Sequence, residues 1–203
     1  MQTIKNKIRN SIYGHGRGWA FTKKDFSHIA PPKAVYTTLS RLVDEGVIRR
    51  IDRGIYEYPK FSDLLNTTLS PNMEKIAKAI ARKFGWRISP EGETALNILG
   101  LSDQVPSKYV YLSDGPNKSL EIGNRKLIFK KRSSAQMALS YETALVAQAI
   151  KALGSSGITE EHIRKISTRL SDKDKRRLLK ETKNLADWLY DIIKRIVKGP
   201  ING

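Results

Sequence analysis

Five residues at helical spacing carry side chains able to hydrogen-bond to DNA base edges: Lys33, Tyr36, Thr37, Ser40 and Arg41. Arginine and lysine donate to guanine acceptors in the major groove, and hydroxyls serve several bases. Val35, Leu39, Leu42 and Val43 fall between them as an apolar stripe. A helix that buries this stripe turns Lys33, Thr37, Ser40, Arg41 and Asp44 outward, with Tyr36 at the flank. The first half of a reading helix enters the groove deepest, which ranks Lys33, Tyr36, Thr37 and Arg41 above Asp44. Arg49, Arg50 and Arg53, with Lys60 after them, have the charge to hold phosphates or a minor groove. Strand alternation lets only some of these arginines face one partner and leaves open which. Arg17, Lys23 and Lys24 lie at a helix start, where backbone N–H groups also attract phosphate. The competing reading of the helix is an ordinary solvated face, and the basic run beside it argues the other way.

The elements that must position these residues are each punctuated in the sequence. Ile4, Ile8 and Ile12 at i, i+4, i+8 predict an amphipathic helix over 2–13, broken by the glycines at 14, 16 and 18. Trp19-Ala20-Phe21 is a short β-prone run. Thr22-x-x-Asp25 resembles a capping box and predicts a second helix to about Ala30, where Pro31-Pro32 stops it. Pro32 then opens the third helix, which Gly46 closes. The runs 47–51 and 55–58 form a hairpin around Gly54. Helix, short strand, helix, tight turn, helix and hairpin, in that order, predict a winged helix-turn-helix complete within residues 1–60. Residues 61–69 read as a linker with a helical turn in 61–65.

Residues 70–203 read as a second, mixed α+β domain. Ser70-Pro71 predicts the cap of a helix carrying Met73, Ile76, Ala77, Ile80, Ala81 and Phe84. Strands are expected near 86–89 and 108–112, with a hairpin over 119–129 around Gly123-Asn124. A short helix over 94–99 ends at Gly100. Further helices begin at Ser140, Thr159 and Ser171, the last of them long or broken. The expected fold class is therefore α+β: an N-terminal winged helix-turn-helix, then a small sheet with C-terminal helices.

The charge balance favours an anionic partner. The 203 residues hold 37 Lys and Arg against 20 Asp and Glu, a net charge of +17. Residues 1–60 have twelve basic and five acidic residues, a net +7 that leaves +10 for 61–203. Such a field suits phosphate backbones, though a merely soluble basic protein shares it. The dense run Lys173, Lys175, Arg176, Arg177, Lys180, Lys183 reads first as a solvated helix face, with nucleic acid or an acidic partner as the alternatives. No cysteine is present, which removes disulfides and thiolate metal sites. The first residues lack the apolar stretch of a signal peptide, and no apolar run approaches the ~18 residues of a membrane span, so a cytoplasmic protein without membrane contact is expected.

Enzymatic signals are poor. Gly14-x-Gly16-x-Gly18 follows a helix and lacks the Gly-Lys-Ser/Thr of a phosphate loop. His15, His28 and His162 lack ligand spacing. Glu91, Glu93, Asp114 and Glu121 lie near predicted strands, but 114–121 contains no clean Glu-x-Lys of a metal-dependent nuclease. The expectation is a non-enzyme with no cofactor and no metal.

Two stretches carry a family resemblance. The first runs from Ala34 through Tyr36, Arg41, Leu42, Gly46 and Arg50, then Asp52-Arg53-Gly54-Ile55-Tyr56. The second is the segment 88–106, with Pro90, Gly92, Gly100 and Pro106, followed by Tyr109-Val110-Tyr111-Leu112-Ser113-Asp114-Gly115. Together they resemble the AbiEi-like antitoxin and regulator family of type IV toxin–antitoxin systems, specifically its shorter members. The resemblance covers 1 to about 135 and fades over the helical end. It implies a repressor of its own operon that binds double-stranded operator DNA, with inverted repeats expected. It also implies a C-terminal domain that counteracts a co-encoded nucleotidyltransferase-like toxin, with no stable complex required. The rivals are a winged-helix regulator whose second domain senses a ligand or dimerises and, ranked below it, the nuclease.

Overall fold

Thr3 sets the first helix. Its hydroxyl accepts from the Asn6 N–H, and α1 (Ile4–His15) follows. Ile8 and Ile12 are fully buried while Ile4 stays 41% exposed, so the inward stripe is shorter than its spacing predicts. The computed structural model describes residues 3–199 of the chain, which divides into compact units 1–86 and 87–203. Both units combine helices with small sheets, so the fold class is mixed α+β.

In the first unit β1 (Ala20–Phe21) leads to the Thr22 capping box, in which Thr22 N–H donates to Asp25 at 2.8 Å. The α-helix expected to reach Ala30 is instead a 3-10 turn, Lys23–Phe26, with Ser27 N–H bonded to Lys24 O and Ile29 N–H to Phe26 O. Only eight residues separate the cap from Pro31, and a proline disfavours the α region in the residue before it. α2 (Pro32–Asp44) starts on schedule, burying Val35, Thr38, Leu39 and Leu42. β2 (Arg49–Asp52) and β3 (Ile55–Glu57) form an antiparallel hairpin around Gly54, whose φ of 74° glycine adopts without strain. β1 pairs with the other edge of β3, giving the sheet order β1-β3-β2. α1, α2 and the sheet enclose Ile8, Ile12, Phe21, Phe26, Leu39 and Leu42.

Two expectations change beyond this hairpin. The stretch read as a linker with a helical turn is a second small hairpin, β4 (Phe61–Ser62) with β5 (Thr67–Thr68). The next helix, α3 (Met73–Phe84), is capped by Asn72 rather than Ser70, because the Asn72 amide oxygen accepts from Lys75 N–H at 2.9 Å. α3 buries Met73, Ile76, Ala77 and Ile80 and packs on β1, β3 and the 3-10 turn. Its apolar face therefore completes the first unit, which runs to Trp86 and not to residue 60.

The second unit holds β6 (Ile88–Pro90), α4 (Glu93–Leu99), β7 (Lys108–Ser113), β8 (Lys118–Ile122) and β9 (Arg125–Lys131). The sheet order is β6-β7-β9-β8, with β7 and β9 parallel and the other pairs antiparallel. The hairpin expected around Gly123-Asn124 joins β8 to β9, Leu120 opposite Leu127. α5 (Tyr141–Gly157) breaks at Gly154, where φ is 71° and ψ 169°. α6 (Glu160–Arg169) starts at Thr159. The last predicted helix is two: α7 (Asp172–Thr182) and α8 (Asp187–Lys198). Helices α4 to α8 share a core of Leu96, Leu145, Ile150, Ile166, Leu189 and Ile193.

Candidate nucleic-acid interface

Burial of Val35, Leu39 and Leu42 orients the rest of α2. Lys33, Tyr36, Thr37, Ser40, Arg41 and Asp44 all lie on its exposed side, Tyr36 with 53% of its surface free. Thr37 Oγ1 donates to Lys33 O at 3.1 Å, which leaves that hydroxyl only its acceptor capacity. Lys33 and Arg41 enter no ion pair found among the described residues.

The hairpin sorts its three arginines. Arg49 points back into the unit: Nε donates to Glu57 Oε2 at 2.6 Å, and a terminal nitrogen donates to Leu69 O at 2.7 Å. Glu57 is 2% exposed, so Arg49 neutralises a buried carboxylate. Arg50 and Arg53 are exposed and join no ion pair found among the described residues. Arg50 sits opposite Tyr56 across the ladder. Burial raises the Tyr56 phenol above its ordinary value; the Arg50 charge opposes that shift and Tyr36 adds to it.

The remaining candidates are divided. Arg17 lies over the Tyr58 ring at 4.7 Å and donates to Pro59 O at 3.0 Å, so it braces the chain leaving the hairpin. Lys24 Nζ donates to Lys83 O at 3.2 Å, at the end of α3. Lys23 is exposed. Lys60 runs its aliphatic stem past Gly18, where an added Cβ would lie 3.3 Å from it. The structure brings Lys33, Tyr36, Ser40, Arg41, Arg50 and Arg53 to solvent on α2 and its hairpin, while Arg17, Lys24 and Arg49 have structural bonds.

Sequence reasoning missed Arg82. From α3 it donates to Asp25 Oδ1 and to Ala20 O, both at 2.9 Å, tying the helix to the capped turn. The amphipathic stripe of α3 was visible, but no local signal tells which unit the stripe covers.

Two of the candidate carboxylates in the second unit have cationic partners. Glu91 pairs with Lys130 at 2.8 Å and Asp114 with Arg87 at 3.0 Å; Glu121 faces Lys126 across the β8–β9 ladder. Burial raises the Asp114 carboxyl, but the Arg87 hydrogen bonds and charge outweigh it and hold it below its ordinary value. Among the described residues no three His, Asp or Glu gather in a metal-binding group. A cleft of about 50 Å³ lies between Ser89, Leu112, Met137, Ala144 and Gln148, room for a few water-sized groups.

These features define a mixed α+β protein of two units, and no helix among the described residues is long and apolar enough to cross a membrane. The chain belongs to a family of unknown function (DUF6088), whose pattern matches residues 7–178. No curated protein matches it. Among solved structures it is similar to the RV2827C protein from Mycobacterium tuberculosis, at 13% identity over 98% of this chain and 77% of that one, with a TM-score of 0.41.

Proposed function

We propose that residues 1–86 form a winged-helix DNA-binding unit and that the chain represses its own operon. One observation carries this reading: α2 presents Lys33, Tyr36, Ser40 and Arg41 to solvent beside a hairpin whose Arg50 and Arg53 are outward and join no ion pair among the described residues. In this reading α2 enters the major groove and the β2–β3 hairpin is the wing on the phosphates. Base discrimination falls to Arg41 and Lys33, and backbone affinity to Arg53 and Arg50. The partner is double-stranded operator DNA in the cytoplasm, and the reaction is binding alone.

Fluorescence anisotropy with the chain's own upstream DNA tests it. Arg41→Ala is expected to cost about 1–3 kcal/mol on the operator and to flatten the preference over random duplex. Arg53→Ala is expected to weaken both DNAs alike and make the salt slope shallower by about one. If the two variants behave alike on both DNAs, the assignment of α2 and wing fails.

The reading extends to a type IV antitoxin that counteracts a co-encoded nucleotidyltransferase-like toxin. This part is supported by the resemblance of 88–106 and 109–115 alone, and it places neutralisation in residues 87–203. Expressing the toxin from an unrelated promoter beside a Lys33/Thr37/Arg41 triple-alanine variant separates the two roles. Continued arrest under a folded variant, where wild type restores growth, would refute the division.

A further inference from the structure

Among its neighbours, α7 stands out for clustering its exposed cations without ion pairs. On α6, Lys165 pairs with Glu161 at 3.0 Å; on α8, Lys194 pairs with Asp191 at 2.6 Å and Arg195 with Glu160. On the sheet Lys130 pairs with Glu91. On α7, Lys173, Arg176, Arg177 and Lys180 are exposed, and none joins an ion pair found among the described residues. Their spacing of i, i+3, i+4 and i+7 sets them on one face, opposite the buried Leu178 and Thr182.

Two of the three acids on α7 are engaged elsewhere, which leaves the exposed Asp172 at the helix start against four cations. Asp174 accepts from the Ser171 hydroxyl at the helix start. Glu181 accepts from Ser140 N–H at 2.9 Å and Ser140 Oγ at 2.8 Å, bonds that fasten α7 to the start of α5; the nearby Arg177 charge favours its ionised form but forms no ion pair with it among the described residues. Lys173 with Arg177, and Arg176 with Lys180, are like-charge neighbours at i, i+4, a spacing at which repulsion weakens a helix. A solvated face built for stability alternates its signs; this one does not.

We infer that the outward face of α7 is a docking surface for the phosphate backbone of duplex DNA, bound without sequence preference. Four cations over eight residues span about 10 Å of helix axis, a density matched by a polymer with one charge per ~1.7 Å. α7 carries no aromatic side chain, and stacking on aromatics is how single-stranded nucleic acid is gripped, so the paired form fits better. The choice of DNA over RNA rests on the function proposed for residues 1–86: two weak surfaces on one chain reinforce each other on one polymer.

The test compares two full-length variants that each lose four positive charges. One is K173Q/R176Q/R177Q/K180Q; the other, K130Q/K165Q/K194Q/R195Q, removes paired cations of the same unit. Binding to a 30-base-pair random duplex is followed by anisotropy from about 50 to 200 mM salt. The α7 variant is expected to bind at least tenfold more weakly and to lose about three from the salt slope; the paired-cation variant is expected to lose less than one. Equal losses would show that net charge alone matters and would overturn the inference, as would an unchanged slope in the α7 variant. Should either variant melt differently from wild type, the pair R176Q/K180Q against K165Q/K194Q replaces them, with half the slope difference expected. A single-stranded RNA arm closes the question of partner: loss of RNA binding with duplex binding intact overturns the assignment to DNA. An Arg41→Ala chain that keeps its α7-dependent slope leaves this inference standing even where the operator reading fails.

Discussion

The β2–β3 and β8–β9 hairpins look alike in sequence, each a basic pair of strands turned at a glycine, yet they handle their charges differently. In β2–β3 one arginine turns inward to a buried glutamate, and Arg50 and Arg53 stay outside with no ion pair among the described residues. In β8–β9 two of the lysines meet carboxylates: Lys130 pairs with Glu91, and Lys126 faces Glu121. Basic residues in a hairpin are therefore poor evidence of an anion surface until their partners are counted. What marks the first hairpin is the separation of one structural arginine from two outward ones.

The largest test removes what supports the first hairpin. Arg49 also donates to Leu69 O, and α3 covers β1 and β3, so a fragment ending at residue 60 loses both. Residues 1–86 are expected to give a cooperative thermal transition by circular dichroism and to bind DNA; residues 1–60 are expected to do neither. A folded 1–60 fragment would return the boundary to the linker.

A smaller effect separates the arginines themselves. Arg49→Ala leaves Glu57 buried without its cation and is expected to destabilise the first unit by about 3 kcal/mol in urea unfolding. Arg53→Ala is expected to stay within about 0.5 kcal/mol, as an exposed residue should. Equal losses would erase the distinction between the inward and outward positions.

The smallest effect concerns the second unit near β7. The Asp114 carboxyl is held below its ordinary value in the folded chain, so its contribution is present above the unfolded-state value and disappears as pH falls through the lower folded one. Asp114→Asn should therefore melt below wild type at pH 7 and lose that difference between about pH 5 and 2, where the wild-type carboxyl takes up its proton. An identical acid profile would show that Arg87 does nothing for this carboxylate.

Much of this was legible because local chemistry decides it. Pro32, Gly46 and Gly54 placed α2 and the hairpin within a residue or two, and the outward set from Lys33 to Arg41 followed from the apolar stripe. The capping box at Thr22 was also readable, but not the conformation after it. Three-residue and four-residue bonds compete over so short a run, and the following prolines settle the contest. The destination of α3 was hidden because an amphipathic stripe says that a helix is covered, not by what. The roles of Arg17, Lys24 and Arg49 were hidden for a related reason: their acceptors are carbonyls and a carboxylate 8 to 59 residues away in sequence.

The small hairpin at 61–69 gives the first unit an unusual property as a polymer. Leu64 and Leu65 stand 94% and 65% exposed at its tip, between the sheet and the helix that covers it. A protease with a taste for leucine finds its cleanest target there, outside any buried backbone. A cut at that point would sever α3 from the strands without releasing it, since the Arg82 bonds to Asp25 and Ala20 and the apolar face of α3 do not depend on chain continuity. The unit would survive as a two-piece complex, a natural split protein whose halves recognise each other through the contacts that close the fold.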